Sequence, residues 1–210
     1  MPARHNGPVS SNVRPHQYQL RHSRVVDIYI SSSMTVEQCQ SHLLKRDQLA
    51  LSRFVGERLR ERYIQPFRTK PARNGFIMMA ASCLLVESLE SFYNGWKKSP
   101  ISAQAFKSFF NRHDEFSVLQ SYSDQFYQNI RCGILHQGET TAGWTVRRDQ
   151  DKLFDQKRLV VDAARFLRAI DAALSKYQEE LNSNQWNSTI WRNFRRKIVA
   201  ICSNAVYPIV

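Results

Sequence analysis

The feature that most constrains the fold of this chain is a long stretch without helix breakers. No glycine or proline occurs from Thr145 to Tyr207. Within this stretch, apolar residues alternate spacings of three and four, as on one face of an α-helix. They are Val160, Ala163, Leu167, Ile170, Leu174, Tyr177 and Leu181. An apolar seam of this length packs inside a helical bundle or against a second copy of the chain.

Two earlier segments also have helical patterns. Thr35 is a candidate N-cap with Gln38 at the capping-box position, and apolar spacing predicts one helix from there until Pro66 and Pro71 end it. A second helix is predicted over residues 76–93. Because its first three turns are apolar nearly all round, we expect it at the centre of the domain.

Shorter helices are predicted after Pro100 and from Ser123, and a final helix from near Trp186. Between them, Trp144–Val146 and Leu153–Phe154 are expected to pair as a small hairpin. The predicted fold class is therefore all-α, a bundle of four or five main helices with a small hairpin insertion and a basic N-terminal arm.

The N-terminal segment differs in composition from the rest of the chain. Residues 1–23 contain three prolines and a glycine among polar and basic residues. We therefore predict a flexible basic arm over residues 1–34 and one helical domain over residues 35–210. The arm lacks the apolar run of a secretory signal, and the longest apolar run, residues 76–86, is shorter than a membrane span. We expect a cytoplasmic protein that has no membrane partner.

The chain is strongly basic, with 30 Lys and Arg against 18 Asp and Glu and a formal net charge of +12. Such a surplus favours a polyanionic partner, meaning nucleic acid or an anionic membrane, and the alternative is a charge that only keeps the protein in solution. The charge is +7 over residues 1–70, +1 over 71–135 and +4 over 136–210. A near-neutral centre suits a buried core or a self-association surface.

The four cysteines carry no metal or disulfide signature. They stand far apart in sequence, at Cys39, Cys83, Cys132 and Cys202, with no CxxC pair. Neither a metal site nor a disulfide framework is predicted, and we expect reduced thiols and no cofactor.

Arg131 and His136 are the residue pair with the clearest chemical potential. An arginine presents a planar fork to phosphate oxygens, and a histidine can give and take protons near neutral pH. Together they suffice for metal-free RNA cleavage. Five positions on an ideal helix correspond to about 140° of rotation, so the two side chains do not converge on one face. Either the helix distorts at Gly133, or another chain completes the site.

This segment resembles the HEPN family, whose signature is Arg, four to six residues, then His, late in a helical bundle. An aromatic-rich stretch at residues 126–130 leads into the motif, residues 137–140 follow it, and a long helical region comes after. The resemblance covers roughly residues 40–185 and identifies residues 35–210 as a HEPN-like helical domain. It implies that two protomers place two Arg/His pairs in one composite cleft, which answers the difficulty of the 140° rotation.

The resemblance implies a metal-independent endoribonuclease that cleaves RNA through attack of the 2′-hydroxyl at a site shared across a homodimer. His136 would be the general acid/base, and Arg131 the ligand of the phosphate and the transition state. The implied partners are RNA, a second copy and a cognate inhibitor protein, as in toxin or defence proteins. The alternative is a non-catalytic HEPN-like module that binds RNA or protein. Cys132 favours it, because active members often have a polar residue there, commonly Asn.

Three neighbours are predicted to support the motif. Asn129 stands seven positions before His136, nearly on the same helical face, and is expected to orient it or to contact phosphate. Glu87 lies on the most apolar helix, where a carboxylate needs a partner such as Arg131. The alternative for Glu87 is a purely structural ion pair or exposure at the helix end. Glu139, directly after the motif, has the same alternatives.

The final helix carries a basic face that is predicted either to contact the RNA backbone or to be simply solvated. It consists of Arg192, Arg195, Arg196 and Lys197. His113, within an Asn-Arg-His-Asp turn, is expected to be solvated.

Overall fold

The computed structural model describes residues 27–68, 74–98 and 102–206. Its helices are α1 (Val36–Lys45), α2 (Gln48–Tyr63), α3 (Gly75–Asn94), α4 (Ser102–Arg112), α5 (Ser123–Phe126), α6 (Gly133–Gln137), α7 (Ala163–Ser183) and α8 (Thr189–Ala205). Short 3₁₀ segments cover Gln65–Phe67 and Asp114–Tyr122, and Tyr127–Cys132 is π-helical. Five helices in the described part have 11 to 21 residues, so the predicted helical bundle is confirmed.

Helix α3 is the centre of the bundle and packs against α4, α7 and α8. Met79, Cys83, Leu85 and Leu89 are completely buried along it. Among the described helices, only α3 is long and apolar enough to cross a membrane. Its central position in the bundle accounts for that apolar composition.

The apolar seam of α7 packs within the bundle, mainly against α2 and α3. Leu174, Tyr177 and Leu181 are fully buried there. Asp162 is the N-cap of α7, and its carboxylate accepts a hydrogen bond from the backbone N–H of Arg165 at 2.7 Å. Its other oxygen accepts from the N–H of Gln150 at 2.8 Å. Asp162 therefore ends a strand and caps a helix at one buried position.

The first predicted helix is wrong in one respect: α1 and α2 are separate. The capping box at Thr35 is confirmed, with Gln38 completing it. The chain then breaks at Arg46, which has φ 56° in the left-handed region, and restarts with Asp47 as N-cap. The Asp47 carboxylate also pairs with His42 at 3.0 Å. A local cap thus replaces the continuous helix that apolar spacing predicted.

The small hairpin is present, but its strands differ from those predicted. The sheet has the order β1 (Thr145–Arg147), β3 (Val160–Asp162), β2 (Phe154–Asp155). Strand β3 pairs parallel with β1 and antiparallel with β2. The hairpin is therefore β2–β3, and the expected pairing of Trp144–Val146 with Leu153–Phe154 is wrong. Two adjacent buried β-branched residues, Val160 and Val161, favour a strand where the seam suggested helix.

Part of the predicted N-terminal arm packs on the bundle. Ile30 is 2% exposed, and its carbonyl oxygen accepts a hydrogen bond from Arg62 Nη2 at 2.9 Å. The backbone N–H of Ser32 donates to the Glu61 carboxylate at 3.2 Å. Residues 30–33 therefore lie against α2. The rest of the arm, residues 1–26, is outside the described residues.

His113 is buried, so its expected solvation is wrong. It is 2% exposed, and its ring centroid lies 4.5 Å from that of Phe109 and 5.8 Å from that of Tyr93. The residue continues the apolar face of α4 one turn beyond Phe109, and its backbone N–H still donates to the Phe109 carbonyl oxygen. Burial, followed by the charge of Arg112, lowers the pKa of His113 from 6.5 to about 4.

Candidate active site

The motif lies on a helical run that changes its winding within the motif. Helix α5 passes into the π-helical turn Tyr127–Cys132, and α6 follows from Gly133. π-turns are rare in proteins, and many of those that do occur are found at functional sites. The expected distortion is therefore present, immediately before Gly133. Only the first of the five steps from Arg131 to His136 falls within the π-turn, so the two side chains still leave the helix in different directions.

Arg131 points at the central helix. Its Nε donates to Glu87 Oε1 at 2.8 Å, and the two side chains are 15% and 14% exposed. Glu87 Oε2 accepts from the Ser102 hydroxyl at 3.1 Å. Burial lowers the pKa of Arg131, but the hydrogen bond and the negative charge of Glu87 raise it, and the net result is a pKa above the ordinary value for arginine. The predicted pairing of Glu87 with Arg131 is thus present.

An aromatic ring and a thiol complete the surroundings of Arg131. Its guanidinium carbon lies 5.6 Å from the ring centroid of Tyr127. The half-buried thiol of Cys132 lies close to the Tyr127 hydroxyl, and a hydrogen bond between the two raises the pKa of Tyr127. Neither Tyr127 nor Ser102 was expected at this site. The position of Tyr127, one helical turn before Arg131, was the available signal.

His136 lies in the last turn of α6 and is exposed to solvent. Within the described residues its side chain forms no hydrogen bond or ion pair. Its ring is therefore accessible to a substrate, whereas Arg131 is held from behind by Glu87.

Asn129 holds the loop that follows α6. Its carbonyl oxygen accepts from the backbone N–H of Thr141 at 3.0 Å, and its Oδ1 accepts from the Thr141 hydroxyl at 2.8 Å. Across the described residues, Asn129 forms no hydrogen bond with His136. The geometry thus shows a support for the loop, and the expected contact with His136 stays a prediction.

Glu139 stabilises the turn locally. Its Oε1 accepts from the backbone N–H of Thr140 at 2.8 Å and from the Thr140 hydroxyl at 3.2 Å. The Thr140 hydroxyl also lies 2.6 Å from the Trp144 carbonyl oxygen, so its one proton is shared between the two acceptors. Glu139 is exposed and lies on the loop beside the motif.

Gly133 is required because the loop folds back onto the helix. The backbone N–H of Glu139 donates to the Gly133 carbonyl oxygen at 3.4 Å, and Gly138 ends α6 with φ 69°. A Cβ atom on Gly133 would lie 2.5 Å from the carbonyl oxygen of Glu139. Because Gly133 has no side chain, the loop that Asn129 holds can pack directly against the helix of the motif.

Gly133→Ala is expected to lower the free energy of unfolding by roughly 1–3 kcal/mol, because the Glu139 carbonyl must move. Urea denaturation checks this. The matched control is Gly138→Ala, which meets no atom within 4 Å and whose cost comes only from its φ of 69°. If the Gly138 variant lost more stability than the Gly133 variant, close packing at Gly133 would not be the controlling feature.

The basic face of α8 is partly occupied by contacts within the chain. The guanidinium carbon of Arg195 lies 4.5 Å from the Trp186 ring centroid, and Lys197 Nζ donates to the Lys97 carbonyl oxygen at 3.3 Å. Arg192 donates to the Thr189 hydroxyl at 2.9 Å, and Arg196 is exposed. No hydrogen bond or ion pair within the described part of the chain joins this face to the motif.

In the described ranges, no group of three or more His, Cys, Asp or Glu side chains is positioned to hold a metal ion. Compared with protein-family models, with curated proteins and with solved structures, the chain shows no significant match.

Proposed function

We propose that this protein is a metal-independent endoribonuclease whose active site is shared across a homodimer. One observation carries the proposal: Arg131 is fixed by Glu87 on a π-turn, and the exposed His136 follows on the same helical run. A permanently charged phosphate ligand and an accessible proton carrier are the two groups that metal-free RNA cleavage needs.

Each residue has a defined role in the proposed reaction. Glu87 accepts a hydrogen bond from Nε of Arg131, and in the proposed reaction the terminal Nη groups stabilise charge on the phosphorane. His136 takes the proton of the ribose 2′-hydroxyl as the 2′-oxygen attacks phosphorus, or protonates the leaving 5′-oxygen. The products are a 2′,3′-cyclic phosphate and a 5′-hydroxyl end.

Exposed apolar residues on the two helical segments joined by the Arg131–Glu87 ion pair support the proposed dimer. Ile77 and Leu84 lie seven positions apart on one face of α3 and are 65% and 41% exposed. Leu84 stands one turn before Glu87, and Leu135, which is 40% exposed, stands one turn after Arg131. A second copy seated here would bring its own Arg/His pair next to the first.

Leu84→Arg is expected to convert the dimer to a monomer and to abolish RNA cleavage, because a charge at the centre of an apolar interface is left unpaired. Sedimentation equilibrium and a cleavage assay measure the two effects. Leu49→Arg is the matched control, because Leu49 is 62% exposed on α2 and should tolerate the charge. A Leu84 variant that stays dimeric would place the interface elsewhere.

The chemistry itself is tested by incubating the protein with single-stranded RNA in EDTA. We expect cleavage that leaves a 2′,3′-cyclic phosphate and that stops when the scissile ribose is 2′-deoxy. Cleavage of an all-DNA strand, or strict dependence on added metal, would overturn the proposal.

A second candidate function is a non-catalytic HEPN-like module that binds RNA or protein. The thiol of Cys132 and the largely buried Arg131–Glu87 pair favour it, since both are compatible with a structural role. Under either function we propose action in the cytoplasm. In a toxin or defence role, an inhibitor protein would cover His136.

A further inference from the structure

A polar cavity of about 330 Å³ lies between α2, the last turn of α8 and the segment before α1. It is lined by Tyr29, Ile30, Arg58, Arg62, Ile201, Asn204 and Ala205. The cavity lies outside the Arg131–His136 motif.

Arg58 is the unusual residue of this cavity. Its Nη1 is buried and has no hydrogen-bond partner, and no ion pair joins Arg58 to any described carboxylate. Arg62 stands one helical turn further along α2, so two guanidinium groups face the same space. Burial, followed by the charge of Arg62, lowers the pKa of Arg58 to about 10.

The nearest carboxylates are already engaged by other groups. Glu61 accepts hydrogen bonds from Ser32, and Glu57 accepts from the Ser33 hydroxyl at 3.2 Å. Arg62 itself donates Nη2 to the Ile30 carbonyl oxygen. The charge of Glu61 acts on Arg58, but burial and the charge of Arg62 outweigh it, and no described carboxylate forms a direct ion pair with Arg58. A partly buried guanidinium in this position gains from a ligand that supplies a direct counter-ion.

A tetrahedral oxyanion is the ligand whose charge and shape would suit this cavity. Arginine forks match phosphate oxygens, and the Asn204 side chain adds a further donor at the wall. Tyr29 is 61% exposed at the rim, where its ring can stack on a base. On α8, burial and then the charge of Arg58 lower the pKa of Lys197, so the positive field continues toward the basic face.

We propose that Arg58 and Arg62 form a phosphate-binding pocket that holds one phosphodiester of single-stranded RNA, with Tyr29 stacking on the adjoining base. The phosphate chemistry stands on the cavity and the unpaired guanidinium alone. The choice of RNA as its source rests on the proposed function.

The first experiment uses inorganic phosphate and thermal unfolding. In 10 mM phosphate, compared with chloride at equal ionic strength, the wild type should melt about 3 °C higher. Arg58→Gln should lose this shift and, without phosphate, should melt no lower than wild type, because it removes an uncompensated charge. Arg53→Gln, at an exposed position of α2, is the control and should keep the shift. Absence of the shift in wild type, its survival in Arg58→Gln, or a lower melting temperature of that variant without phosphate would each overturn the pocket.

The second experiment identifies the source of the phosphate. A fluorescent 12-nucleotide RNA is bound in the His136→Ala background, so that cleavage plays no part. Arg58→Gln should weaken binding about tenfold and reduce the salt dependence by about one phosphate contact, whereas Arg53→Gln should keep the affinity. If RNA affinity is unchanged while the thermal shift is lost, the pocket takes free phosphate, and the assignment to RNA is overturned.

Discussion

Replacing His136 with alanine should reduce RNA cleavage by about 10²–10⁴-fold, the usual contribution of a positioned general acid/base. The melting temperature should stay within about 2 °C of wild type, because His136 is exposed and forms no hydrogen bond with any described residue. Cleavage is measured in EDTA on single-stranded RNA, and unfolding is followed in parallel. Gln137→Ala, at the next position, which is also exposed, is the matched control and should retain activity.

Arg131→Ala should lose cleavage and about 3 kcal/mol of unfolding free energy, because Glu87 is left largely buried without its partner. This destabilisation is expected under either function. The pattern that distinguishes an enzyme is the loss of cleavage by the His136 variant without a loss of stability. Full activity of His136→Ala, or loss of its stability alone, would favour the non-catalytic module.

The free energy of unfolding should fall by about 2 kcal/mol between pH 7 and pH 5, because His113 is protonated more readily in the unfolded chain than in the folded one. Its pKa is about 4 when folded and 6.5 ordinarily, so the unfolded chain takes up a proton first as pH falls. The stabilisation is complete above pH 6.5 and is lost progressively as pH falls toward 4, amounting to about 3 kcal/mol in total. Urea denaturation at several pH values measures this slope.

The control for this prediction is His113→Phe, which keeps an aromatic ring against Phe109 and Tyr93. It should flatten the pH dependence between pH 7 and 5. An unchanged slope in this variant would assign the effect to groups other than His113.

Periodicity predicted those parts of the fold that depend on one buried face. The seam of α7 and the central position of α3 follow from apolar spacing, because each helix must bury those residues somewhere. The capping box at Thr35 depends on two side chains three positions apart, so it too was predictable. At the site, the pairing of Glu87 with Arg131 followed from the cost of a lone carboxylate on an apolar helix.

Two of the features that were missed depend on contacts distant in sequence. Strand β3 exists because β1 and β2 both pair with it, which the heptad spacing that starts at Val160 concealed. The unpaired Nη1 of Arg58 depends on which helices close over it. Two other features had local signals. The break at Arg46 depends on a cap at Asp47 that competes with a continuous apolar face, and the buried His113 continues the apolar face of α4 one turn beyond Phe109.

Helices α1 and α8 contact each other, although they stand near opposite ends of the described chain. During synthesis, at about 5–20 residues per second, α1 therefore waits roughly ten to thirty seconds for its partner. Cys39 on α1 is buried in the finished bundle, so its thiol stays accessible until α8 has been made. The protein would be most vulnerable to oxidation and aggregation while it is still being made.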